Sequence, residues 1–140
     1  MQADKRIELT RKIIDVATNE YGISASDVVI DPLAMPIGAD TTVVNTAFET
    51  MQRIRSEFGV NMTCGASNVS FGMPGRHQLG AAFLPMAMTA GLTSAIMDAR
   101  TPTIVESVKA ADLLLNHDEW GMAWIGAHRA RQAAEASANA

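Results

Sequence analysis

The sequence predicts an α/β fold in which parallel strands alternate with helices, and two observations predict it. Three short apolar segments begin near Val28, Met62 and Ser94, spaced by about 33 residues, the length of a strand–helix unit. Between them, apolar residues recur at helical spacing. The order is a helix, three strand–helix units, then an extra helix. Three parallel strands with flanking helices suit two architectures. One is half of an eight-stranded TIM (β/α)8 barrel, since the opening helix is of the kind that follows a strand. The other is a small three-layer α/β domain with its own core, which periodicity alone favours.

The first helix is expected over residues 5–21, with Leu9, Ile13, Val16 and Ala17 on its apolar face and Tyr21-Gly22 ending it. Val28-Val29-Ile30 reads as a strand covered on both faces, stopped by Asp31-Pro32. A second helix runs from about Thr42 to Phe58 with Val44, Phe48, Met51 and Ile54 along it. "NMTCGASN" is the next strand with its exit loop. The third helix spans about His77 to Ala90 and contains Pro85, which predicts a kink or break there. "TSAIMD" is the third strand. Thr101-Pro102 opens a fourth helix, with proline at its favoured first position. A last helix from about Asp118 places Trp120 and Trp124 one turn apart, where they should pack. The single domain covers residues 1–140, with a small-residue tail expected to fray from about 130.

Composition narrows the function classes. A net charge of -4 without a Lys/Arg run argues against nucleic acid as a partner. No apolar run reaches the roughly 18 residues of a membrane span, so no membrane role is expected. The polar start "MQADKRIELTRK" is not a signal peptide, and one cysteine fits a reducing compartment. The expected location is cytoplasmic. His77, His117 and His128 show no ligand-like spacing with Cys64 or each other, so no metal site is expected. Cys64 and the nine methionines read as core.

In parallel βα folds the reactive groups sit just past the C-terminal ends of the strands. Asp31, the Ser67-Asn68 pair and Asp98 occupy such positions. Asp31 before proline is either a turn initiator or a carboxylate able to accept two parallel N–H bonds from a guanidine-like edge. Asn68 is either a loop asparagine or an amide that can both donate and accept toward a ligand. Gly65 permits close approach of a ligand to the backbone. Arg76 either closes a pocket or is a solvated first-turn residue, and Asp98 either caps a helix or joins the site.

"IDPLAMPIG", "GASNVSFGMPGR" and "FLPMAMTAGLTSAIMD" together resemble the pterin-binding barrel of methyltetrahydrofolate:corrinoid methyltransferases, with dihydropteroate synthase a more distant relative. The resemblance runs from about residue 5 to residue 125 and covers the C-terminal half of such a barrel. It therefore favours the half-barrel over the self-contained domain. It implies that Asp31 holds the 2-amino and N3 edge of a pterin. It places Asn68 near pterin N5 as the catalytic residue, with Gly65, Ser67 and Arg76 lining the same pocket. It implies methyltetrahydrofolate as substrate and a corrinoid (cobalamin) on a partner protein. The expected partners are that corrinoid protein and either a complementary N-terminal half-barrel or a second copy in a homodimer. A non-catalytic half-barrel is the alternative. Dihydropteroate synthase activity fits poorly, because that family's loop lysine and Arg-x-His are lacking at Val69 and Asp98-Ala99-Arg100-Thr101.

Overall fold

A computed structural model describes residues 2–138. Helix α1 (Ala3–Asn19) leads through a short 3-10 turn into strand β1 (Val29–Ile30). Helix α2 (Val43–Glu57), strand β2 (Asn61–Gly65), helix α3 (Arg76–Thr89), strand β3 (Ser94–Ile96), helix α4 (Pro102–Leu114) and helix α5 (Met122–Ala138) follow. The strands form one parallel sheet in the order β1-β2-β3, with Val29 opposite Asn61 and Thr63 opposite Ser94. Three parallel strands joined by helical crossovers are consistent with the open half of a βα barrel.

Alternation along each strand sorts the side chains into two layers. Met62 and Cys64 point toward the helices and are completely buried, with Ile30 beside them. Met51 and Ile54 of α2 and Leu84 and Ala87 of α3 close over them, and Phe48 stacks on Phe83 at 5.6 Å between ring centroids. Val29, Asn61, Thr63, Gly65, Ser94 and Ile96 point the other way. That inner face is open: Val29 is 52% and Ile96 69% exposed. The β1 segment is therefore covered on one face, not two, because among the described residues no strand stands across the inner side.

Side-chain hydroxyls weld β3 to β2. Thr93 Oγ1 accepts from Met62 N at 2.8 Å and donates to Met62 O at 2.9 Å, and Ser94 Oγ donates to the same carbonyl at 3.0 Å. Short strands have few ladder bonds, so each of these matters in proportion.

Several expectations are corrected. The buried face of α1 is Ala3, Arg6, Ile7 and Thr10, while Leu9 and Ile13 are exposed. They flank a groove of about 300 Å³ along the free β1 edge, beside Val29. Trp120 does not pack. It lies in a 3-10 turn (Glu119–Gly121) with φ 59° and is 86% exposed. The last helix starts at Met122, and Asp118 caps it by accepting from Ala123 N and Trp124 N at 2.9 Å each. The helix extends through Ala138, with no buried residue in it.

Pro85 neither breaks nor interrupts α3. A proline lacks the N–H that would bond to the carbonyl four residues back, here that of Ala81. Ser107 of α4 supplies the replacement, its Oγ donating to Ala81 O. The helix defect thus becomes an interhelical bond between α3 and α4, which pack closely.

Ser107→Ala should destabilise the chain by about 1–2 kcal/mol in urea unfolding, by leaving that carbonyl without a donor. In a Pro85→Ala background the penalty should shrink, because a main-chain N–H returns. Equal penalties in both backgrounds would refute the compensation.

Candidate functional site

The β1 exit is shaped by a charge and a turn. Asp31 Oδ1 accepts from Leu33 N at 2.8 Å, closing an Asx turn over the buried Pro32. Leu33 has φ 63°, a left-handed conformation that costs a non-glycine residue about 1–2 kcal/mol. The turn is held from α1: Arg6 Nη1 donates to Pro32 O at 2.7 Å and Leu33 O at 3.0 Å. Arg6 is a residue the sequence reading missed. It stands one position before Ile7 on a helix rich in charged residues, and nothing in its spacing marks it as buried. Burial pulls its pKa below the ordinary value, and the nearby Asp31 charge opposes that shift.

The β2 exit is a 3-10 turn (Ala66–Ser70). Gly65 has φ -70°, which any residue adopts, so the glycine serves space and not backbone freedom. A Cβ there would stand 2.9 Å from Asn68 Nδ2 and 3.3 Å from its Cγ. The Asn68 amide is therefore folded back over the strand tip, into the room the missing side chain leaves. It is exposed and makes no side-chain hydrogen bond among the described residues. Behind it Cys64 is buried, and desolvation, with a smaller contribution from Asp31, pushes its thiol up to about 11. That thiol is neutral and enclosed, the opposite of an activated nucleophile.

Arg76, the first residue of α3, stitches the loop together. Its Nη2 donates to Ser67 O at 3.0 Å and its Nε to Ser70 Oγ at 3.4 Å, and the guanidinium lies over the Phe71 ring. At the β3 exit, Asp98 accepts from Arg100 N at 3.0 Å and pairs with its guanidinium at 2.9 and 3.0 Å. The α4 N-terminus is left to Thr101 and Pro102, so Asp98 makes a local turn and not a helix cap.

Ser67, Arg76 and Asp98 share a groove of about 310 Å³ with His77 between the β2 and β3 tips. Asp31 opens onto the separate groove at the β1 edge. Gly65 and Asn68 line neither. The two motif loops nevertheless touch: Ile37 N donates to Val69 O at 3.0 Å, and a Cβ on Gly38 would meet Met73 Sδ at 3.4 Å. Among the described residues, no group of three or more His, Cys, Asp or Glu side chains could hold a metal, and no helix is long and apolar enough to cross a membrane.

Two titrations check these environments. The Arg100 side chain, then its backbone N–H, hold the Asp98 carboxyl at about 2 against an ordinary 3.8. A depressed carboxyl stabilises the fold above its ordinary pKa, and that contribution is lost as pH falls toward 2. Carboxyl ¹³C NMR should place the midpoint near 2, and Arg100→Gln should raise it; an ordinary midpoint in the parent chain would dismiss the pairing. Cys64 has the opposite sign. Its contribution is present below pH 9.0, the ordinary thiol value, and is lost as pH rises through about 11. At pH 8 a thiol reagent should label Cys64 only on unfolding, and rapid labelling of the folded chain would contradict its enclosure.

Comparison with known proteins places this arrangement. A family model described as "Pterin binding enzyme" matches residues 2–98, a segment that includes all three strand exits. The chain is similar to the methylcorrinoid:tetrahydrofolate methyltransferase of Eubacterium limosum, 28% identical over 116 residues, which is 82% of this chain and 42% of that protein. It is similar to the methionine synthase of Mycobacterium tuberculosis, 33% identical over 104 residues, 69% of this chain and 9% of that protein. It is also similar to the methionine synthase of Mycobacterium leprae, 32% identical over 103 residues, 69% of this chain and 8% of that protein. The chain thus spans less than half the length of the first of these curated relatives and under a tenth of the other two. On a match that takes in most of its length, the chain belongs to the pterin-binding enzyme family.

Proposed function

We propose that this chain contributes the C-terminal half of a barrel that moves a methyl group between N5 of tetrahydrofolate and a corrinoid on a partner protein, in the cytoplasm. One observation carries the reading. The Asn68 amide lies at the tip of the central strand with no protein partner among the described residues, over a glycine that makes room for it. An unpaired amide in that place is free to bond a ligand nitrogen.

The chemistry explains why an amide would serve. When the methyl leaves N5, the N5–CH3 bond breaks and its electron pair stays on nitrogen. A tertiary amine leaves poorly unless N5 is protonated. A solvent proton delivered to N5 puts the positive charge there, and the Asn68 carbonyl oxygen can accept a hydrogen bond from the resulting N5–H, favouring that protonated state until the methyl departs and the charge is discharged. In the reverse direction, the one in the name of the Eubacterium relative, the same oxygen bonds the proton that N5 must shed. Asp31, with Oδ2 not used in its turn, is assigned the 2-amino and N3 edge of the pterin. Gly65 and Ser67 are assigned to the ring site, which the completed barrel would close over the strand tips. Arg76 acts by fixing the loop, since its donors go to Ser67 and Ser70.

The second reading is a half-barrel that acts only with a complementary half or a second copy. The exposed inner face, with Val29 and Ile96, favours it. Both readings share one test. The chain is mixed with an N-terminal half-barrel of a relative, and cob(I)alamin methylation by methyltetrahydrofolate is followed by absorbance, with each piece alone as control. Activity only in the mixture supports the half-barrel reading. No activity, with no pterin binding by calorimetry, would sink the methyl-transfer assignment. In the active mixture Asn68→Ala should slow methyl transfer on the order of 10²-fold while changing pterin affinity little. Gly65→Ala should displace the amide and give a smaller loss in the same direction. Asp31→Asn should weaken pterin binding, and unchanged affinity would remove Asp31 from the site.

A further inference from the structure

We infer that Arg6 is a positioning residue for the Asp31 carboxylate, acting through the turn that follows β1. Arginine is seldom enclosed, yet Arg6 is only 6% exposed. Its guanidinium spends its contacts on two consecutive carbonyls, Pro32 O and Leu33 O. Those carbonyls belong to the segment whose Leu33 N–H holds Asp31 Oδ1. The chain of contacts runs from α1 through a left-handed Leu33 to the carboxylate.

Two further features favour positioning over mere packing. Arg6 and Asp31 form no direct ion pair among the described residues, although the Asp31 charge acts on Arg6. A direct pair would occupy the carboxylate; this arrangement orients it and leaves Oδ2 outside the turn. In addition, Arg6 Nε is buried without a partner among the described residues. Leaving a buried donor unpaired is unfavourable, and a methionine would fill the space without it. What methionine could not do is bond both carbonyls.

The role in ligand binding rests on the pterin reading above; the role in holding the turn does not. The test therefore has two arms, using the full chain with Arg6→Met, Arg6→Lys and Asp31→Asn. The first follows exchange of the Leu33 amide by NMR. Arg6→Met should speed it at least tenfold, and Arg6→Lys should give an intermediate rate. If Arg6→Met alone does not fold, it is built on Leu33→Gly, where glycine takes the left-handed conformation freely. Exchange of the backbone amide at position 33 is then compared with and without Arg6 in that background. The second arm measures methyltetrahydrofolate affinity by calorimetry in the complemented barrel. Arg6→Met should weaken it about tenfold, Arg6→Lys should recover part, and Arg6→Met should add no loss on Asp31→Asn. Unchanged turn-amide exchange would overturn the inference. So would an affinity loss that persists undiminished without the Asp31 carboxylate. A parent barrel that binds no pterin would sink the functional reading alone, and the exchange arm would still decide whether Arg6 holds the turn.

Discussion

The structure depends on β2 being buried on one side and bare on the other. Met62 and Cys64 anchor its outer face beneath α2 and α3 with no exposure at all. The same alternation sends Asn61, Thr63 and Gly65 to the open side. The rest of the sheet takes its place from that strand: β1 and β3 pair with it, the Thr93 hydroxyl brackets Met62, and the loop beyond Gly65 presents Asn68. The core is thus a single layer of contacts between sheet and helices. The polar groups at the strand tips stand where that layer ends.

The three tips differ in how far they are committed. At the flanking strands an aspartate is bound to the amide two residues on, by Leu33 after β1 and by Arg100 after β3. Asp98 is further occupied by the Arg100 guanidinium. At the central strand the amide of Asn68 has neither constraint among the described residues. An aspartate tied in a turn keeps one orientation, whereas an amide without such ties can turn.

Much of this was legible in the sequence, and the limits have physical reasons. The β-branched run Val28–Ile30, the helix between Thr42 and Phe58 and the glycine-rich exit at Gly65 each carry a local signal that the fold preserves. The parallel topology followed from spacing. What could not be read was which face of α1 turns inward, because Leu9 and Ile13 look as apolar as Ile7 and only the position of the neighbouring strand decides. Trp120 misled in the same way. Its spacing from Trp124 suits a helix, but the Asp118 cap starts that helix two residues later than Trp120. Arg6 was invisible because its partners are carbonyls 26 and 27 residues away, and backbone groups leave no trace in residue identity. For the same reason, the motif loops could be named from sequence, while the contact between Ile37 and Val69 that joins them could not.

The bond from Ser107 to Ala81 has an implication for how such a sequence is reached by mutation. A hydroxyl at position 107 does little harm while position 85 still has its own N–H. A proline at 85 arriving first leaves a carbonyl stranded within the packed helix pair. The two substitutions are therefore not equivalent in order: serine before proline passes through no stranded carbonyl, and losing the proline before the serine retraces that route at the lower cost in stability.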